Sequence, residues 1–337
     1  MTLPVPRLTA WRIRPVLVVN TALATALLLL AAGDVARFPE PVGAASSVPP
    51  DGSGDTEAAG SDDAVTDDGV GETQGASPHS LPPEDAARER LADEMSRLLA
   101  DTQARLSVSV LAMDGGLSVG YGEGAFDTAS IVKVDVLAAL LLQAQDEGRE
   151  LTGYERGLAE AAIQRSDNAS TDELWTLIGT GDGLDAANER LGLTETTAGP
   201  DYTWGLTQTT SEDQIALLRA VFGDDSPLEP ESRAYIQELM GSVVPDQQWG
   251  ISAAADGDFE LKNGWLPRSQ TGLWDINSIG RVVVDDDAHF ANGTYLAGDT
   301  YLVAVVSDGH VSQAAGIAVV EAAARLAVEA ISAGPDV

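Results

Sequence analysis

The chain has 337 residues, 44% of them hydrophobic, enough to bury one large core or two small ones. Its formal net charge of -34 sets nucleic acid aside as a partner, since a polyanion is repelled and few basic residues exist to build a patch. The absence of Cys excludes disulfides and thiolate chemistry, and three His, at His79, His289 and His310, leave little material for a His-rich metal centre.

In chain order, Arg7, Arg12 and Arg14 precede an uncharged apolar run from Pro15 to Ala32, whose length borders on both a signal peptide and a spanning helix. Residues 1–32 are therefore read as a signal peptide or a retained membrane anchor. The basic flank keeps the N-terminus in the cytoplasm and sends the remainder to the cell envelope or beyond. Ala31, Ala32 and Gly33 suit cleavage. Residues 33–83 are rich in Asp, Glu, Gly, Ser, Pro and Ala, and no aromatic residue lies between Phe38 and Tyr121. Such a stretch buries too little apolar area to offset chain entropy and is predicted to be a disordered acidic tether.

The folded domain is expected over 84–334. Helical spacing runs from Glu84 to Thr102, followed by a hairpin whose alternating strands, Leu106–Ala112 and Leu117–Tyr121, flank Asp114-Gly115-Gly116. Helical patterns cover 131–147, 153–165, 170–178, 183–191, 209–222 and 229–241. Strand patterns return at Phe259–Lys262, Asn277–Val284 and Tyr301–Ser307, before an amphipathic helix over 311–333. Two strands, many helices, three strands and a helix predict an α+β fold, its antiparallel sheet completed by both ends of the domain, flanked by helices and carrying an inserted all-helical lobe.

Three short motifs stand in this frame. Ser130-Ile131-Val132-Lys133 lies where a Gly-rich stretch gives way to the helical run Val134–Gln143, placing Ser130 at a helix N-terminus with Lys133 one turn on. Ser166-Asp167-Asn168 falls between helices, and Lys262-Asn263-Gly264 on the first returning strand. Lys133 and Lys262 are the only lysines of the chain; every other basic residue is Arg. Arg cannot give up its proton in a protein, whereas a desolvated Lys can act as a base.

Each motif has a chemical job. Ser130 is the candidate nucleophile toward an amide or lactam carbonyl, and Lys133 its proton acceptor. Ser166 can pass a proton to the leaving nitrogen, and Asn168 offers its amide to substrate and to Lys133. Lys262 supplies fixed positive charge. Gly264 lets the strand edge approach the ligand, so that the N–H groups of Ser130 and Trp265 can form an oxyanion hole.

The order S-x-x-K, S-D-N and K-x-G resembles the serine β-lactamase and penicillin-binding protein superfamily, most closely its class A β-lactamase-like branch, over about residues 84–334. The resemblance implies β-lactam hydrolysis through a Ser130 acyl-enzyme. The alternatives it implies are D-alanyl-D-alanine carboxypeptidase activity on peptidoglycan stem peptides, and a β-lactam-sensing or wall-binding module without turnover. No metal or organic cofactor is called for, and oligomeric state is left open.

The chain departs from that pattern in three places. Asn263 replaces the usual hydroxyl residue at the position that meets a substrate carboxylate and is counted, with Asn168, Gly264 and Trp265, among the candidate substrate-binding residues; Trp265 is bulky enough to crowd or line the pocket. The loop from Leu193 to Thr207 lacks the Glu that activates the deacylating water in the class A branch. Asp201 lies nearest its expected place. A competing Gly116-Leu117-Ser118-Val119-Gly120 fits a nucleophile elbow with His310 downstream, but it alternates as a strand where an elbow needs strand, turn and helix; Ser118 is read as a hairpin residue and His310 as a loop residue. Trp175, Trp204, Trp249 and Trp274 are assigned to core or rim.

Overall fold

The computed structural model describes residues 83–284 and 300–332, all within the unit Thr73–Val337. The leader and tether, with His79, and also His289, lie outside the described residues. Among the described residues no helix is long and apolar enough to cross a membrane.

Helix α1 (Pro83–Leu99) leads into the hairpin of β1 (Arg105–Ala112) and β2 (Ser118–Tyr121), then the two-residue strand β3 (Phe126–Asp127). A 3-10 turn, Ala129–Ile131, runs directly into α2 (Val132–Asp146). Helices α3 (Gly153–Gln164), α4 (Asn168–Leu177) and α5 (Thr180–Leu191) follow, then β4 (Gln208–Thr209), α6 (Ser211–Phe222) and α7 (Pro230–Gly241). Strands β5 (Phe259–Pro267), β6 (Trp274–Val283) and β7 (Thr300–Asp308) precede α8 (Gln313–Ser332).

The five-stranded sheet has the order β2-β1-β7-β6-β5, antiparallel at every described pairing, so both ends of the domain build it and the helices between are the insertion. Alternation along each strand splits the apolar side chains between two cores. On β7, Leu302, Ala304 and Val306 face the core shared with α2 to α7; Tyr301, Val303 and Val305 face the core shared with α1 and α8. Helix α2 is apolar around nearly its whole circumference and is buried accordingly, which makes it the axis of the first core.

The serine turn is held from three sides. β3 pairs with β4, and Thr128 N–H donates to Thr207 C=O at 2.8 Å. From β6, the fully buried Asn277 amide donates to the carbonyls of Asp127 (2.8 Å) and Thr128 (3.0 Å), while its Oδ1 accepts from Ser307 N–H at 2.9 Å. Arg268 bridges Asp127 and Asp275 beneath it.

His310 lies in the connection between β7 and α8, in keeping with its assignment to a loop. It is buried, its Nε2 lies 2.8 Å from Ser307 Oγ, and its backbone pairs with Trp274, with burial pushing its pKa down. Ser118 sits on edge strand β2, as read from its alternation.

Asn277→Ala removes a hydrogen-bond partner from the Asp127 and Thr128 carbonyls and from Ser307 N–H. Denaturant titration is expected to show a loss of about 2–4 kcal/mol, and a loss under about 0.5 kcal/mol contradicts this anchoring role.

Candidate active site

Ser130 stands inside the 3-10 turn rather than at a conventional N-cap. Ala129 before it takes a left-handed φ of 47°, a conformation that costs a residue with a Cβ about 1–3 kcal/mol and persists only where its surroundings impose it. Ser130 is partly exposed, and its hydroxyl has no hydrogen-bond partner among the described residues. It is open to a ligand.

Lys133 and Lys262 converge from α2 and β5 on Ser166. Lys133 Nζ donates to Ser166 C=O at 2.7 Å, Ser166 Oγ at 3.1 Å and Asn168 Oδ1 at 2.8 Å. Lys262 Nζ reaches the same Ser166 Oγ at 3.0 Å and its neighbour's carbonyl, Asn263 C=O, at 2.8 Å. The junction between α3 and α4 presents this hydroxyl. Ser166 adopts φ 56°, and Asp167 caps α4 through a 2.7 Å bond from Ser170 N–H, which sets Asn168 as the first helical residue.

Both lysines are 1% exposed. Burial lowers the Lys133 pKa to about 7 against the opposing pull of Asp167 and Asp172, and it lowers Lys262 well below its ordinary value, helped by the charge of Lys133 beside it. Among the described residues no carboxylate forms an ion pair with either amine. A neutral Lys133 has a lone pair to offer a hydroxyl; Arg in the same place has none.

Strand alternation sorts the third motif. Lys262 and Gly264 face the serine turn, and a Cβ on Gly264 would lie 2.8 Å from Ser130 N and from Thr128 O. Asn263 and Trp265 point to the opposite face. The Asn263 amide donates to the carbonyls of Gln247 (2.7 Å) and Trp249 (2.9 Å), and the Trp265 ring packs on Trp249 at 6.1 Å between centroids. The expectation that these two side chains line the pocket is thereby corrected; what Trp265 can still offer is its backbone. Asp201 is not brought to the amines either. It lies exposed on an outer turn with φ 50°, and the contact it makes is its carbonyl accepting from Trp175 Nε1 at 2.9 Å.

Trp204 is the residue that sequence reasoning missed. Its ring centroid lies 4.9 Å from Lys133 Nζ, and its Nε1 donates to Asp172 Oδ1 at 2.8 Å. An aromatic residue in a polar loop was the available signal. Asn277 was hidden because a buried Asn within an apolar strand reads as a break in the pattern.

A cavity of about 530 Å³ adjoins the strand beyond Gly264, with Leu206, Leu266 and Arg268 in its lining. Among the described residues no cluster of acidic, His or Cys side chains is arranged to hold a metal ion.

Comparison with known proteins bears on this geometry. The model of the beta-lactamase enzyme family matches residues 155–331, just over half of the chain. No curated protein sequence matches. A class A beta-lactamase from Bacteroides cellulosilyticus DSM 14838 is similar in structure with a TM-score of 0.61 and 18% identity, over 73% of this chain and 98% of its own. The TLA-1 extended-spectrum beta-lactamase gives 0.62 and 15%, over 73% and 99%. A mutant of PBP-A, solved as an acyl-enzyme complex with penicillin G, gives 0.59 and 21%, over 74% and 98%. At these identities the likeness is one of fold.

Two predictions follow from the burial. Gly264→Ala forces a methyl against backbone atoms that cannot yield, so denaturant titration is expected to show a stability loss of about 1–3 kcal/mol; a loss under about 0.5 kcal/mol contradicts the close approach. For Lys133, the folded pKa of about 7 lies below the unfolded value of 10.5. Between those values the unfolded chain binds the extra proton, so stability rises with pH across that window and the penalty is complete below it. Lys133→Met is therefore expected to be more stable than the parent by about 1–3 kcal/mol at pH 7, an advantage that shrinks toward pH 10 in denaturant titrations; a variant less stable at pH 7 contradicts the neutral buried amine.

Proposed function

Given that the chain belongs to the beta-lactamase enzyme family, we propose that it is a class A β-lactamase-like serine hydrolase that forms an acyl-enzyme on Ser130 with a β-lactam or related amide. The observation that carries this reading is the Ser166 hydroxyl held between two buried amines, one of them on Lys133, a single helical turn along the chain from Ser130.

Lys133, as the free amine, takes the proton of Ser130 while its oxygen bonds to the carbonyl carbon, and the carbonyl oxygen takes up charge at the N–H groups of Ser130 and Trp265. The carbon–nitrogen bond then breaks, and the proton moves from Lys133 through Ser166 to the leaving nitrogen. Lys262 keeps Ser166 oriented and adds positive potential toward a substrate anion. Hydrolysis completes the cycle when water attacks the ester, returning Ser130.

A second reading has an observation in its favour. The loop that supplies a deacylating carboxylate in class A enzymes here sets Trp204 against Lys133, and an indole offers no proton acceptor to a water. Slow hydrolysis of β-lactams combined with cleavage of D-alanyl-D-alanine stem peptides fits that arrangement, as does a β-lactam sensor that acylates and holds. The basic flank and apolar run before Ala32 support export, with the segment cleaved or retained as an anchor; detergent-free fractionation of cells separates those outcomes, and a cytosolic product overturns export.

A labelled penicillin is expected to attach covalently at Ser130, located by peptide mass mapping, and Ser130→Ala and Lys133→Ala are each expected to abolish it. Absence of label on the parent protein overturns the reading. Loss of label within seconds marks a lactamase; slow loss with stem-peptide cleavage marks the peptidase. The acylation rate is expected to fall about tenfold per pH unit below pH 7, where Lys133 binds its proton, and to level off above it. A rate independent of pH between 5 and 9 contradicts Lys133 as the base.

A further inference from the structure

The indole of Trp204 lies against the Lys133 amine, whose polar partners Ser166 and Asn168 come from the α3–α4 junction. Its place is fixed by more than the ring contact. Nε1 is tied to the Asp172 carboxylate, and Thr207 N–H closes the turn onto Trp204 C=O at 3.1 Å. The next residue abuts the serine turn, since a Cβ on Gly205 would lie 3.8 Å from Ala129 Cα. The loop is in turn anchored at its base, where Thr197 and Gln208 exchange two backbone bonds of 2.9 Å and Asp213 accepts from Glu195 N–H and the Thr196 hydroxyl.

We propose that Trp204 is a positioning residue: latched by Asp172, its indole roofs the Lys133 amine and keeps water away from it and from an acyl group on Ser130. The proposal rests on the acyl-transfer reading above and adds to it the part that sets how long the acyl-enzyme lives.

The charged groups facing Lys133 are Lys262 from β5, Asp167 at the cap of α4 and Asp172 within it; the loop's own Asp201 is exposed, as is Arg165 just after α3. The two aspartates favour the ammonium and cannot account for a lowered pKa, so exclusion of water is the opposing force. A ring face also favours the cation. Removing the indole therefore has two effects of opposite sign, and the larger is hydration of the amine. The Lys133 pKa rises.

The test uses the full chain carrying 15N at lysine Nζ, where only two lysines contribute. Trp204→Ala is expected to raise the Lys133 titration midpoint by about one pH unit or more. It is expected to move the rising limb of the acylation rate to higher pH by the same amount, and to shorten the lifetime of the penicillin label about tenfold as water enters. Trp204→Phe keeps an aromatic roof but loses the latch, so the same changes are expected at smaller size. It also serves as the test should the alanine variant not fold. A folded variant with an unchanged or lowered Lys133 midpoint and an unchanged label lifetime overturns the proposal. Should the parent protein take no label, the acyl-transfer reading fails, and the nitrogen titration still decides whether Trp204 roofs the amine.

Discussion

Two amines held out of water on either side of one hydroxyl are the arrangement on which the rest of the site depends. Lys133 and Lys262 both reach Ser166 Oγ, and among the described residues neither forms a direct ion pair with a carboxylate. Two full charges so close in a buried pocket repel each other, so the pocket favours losing a proton at near-neutral pH. That shortage of protons is what turns a lysine into a base. It also explains why these two positions carry Lys in a chain that uses Arg everywhere else: an Arg brought here would stay charged.

The fold bears the cost of this. Two buried lysines, the left-handed turns at Ala129 and Ser166, and a strand edge pressed so close that only Gly264 fits all oppose folding. They persist because α2 is buried on nearly every side and the sheet beneath is closed by both ends of the domain. The Asn277 amide connects that sheet to the turn before Ser130. Trp204 connects the site to the loop, where it puts an aromatic surface beside the Lys133 amine.

The order of strands and helices was legible in the sequence because each core-facing residue keeps its period. That both ends of the domain complete one sheet follows from where the alternating segments fall, and the three motifs fall on the elements that bring them together. Boundaries failed where chemistry competed with pattern. The strand expected over Phe259–Lys262 runs on to Pro267, since Asn263-Gly264 looks like a turn and is instead a close approach. β3 and β4, at two residues each, are too short to show any period. Asn263 and Trp265 were placed in the pocket by adjacency in sequence, whereas a strand sends neighbours to opposite faces. Trp204 was assigned to core or rim because nothing along the chain links it to Lys133; only the folded loop does.

Neutron diffraction from crystals grown near pH 8 tests the central claim most directly, because it shows the hydrogens on each nitrogen. The account predicts two on Lys133 Nζ, with its lone pair directed to a serine hydroxyl, and the Ser166 oxygen within hydrogen-bonding distance of both amines. Three hydrogens on each lysine nitrogen, or a Ser166 side chain turned away from either, contradict it.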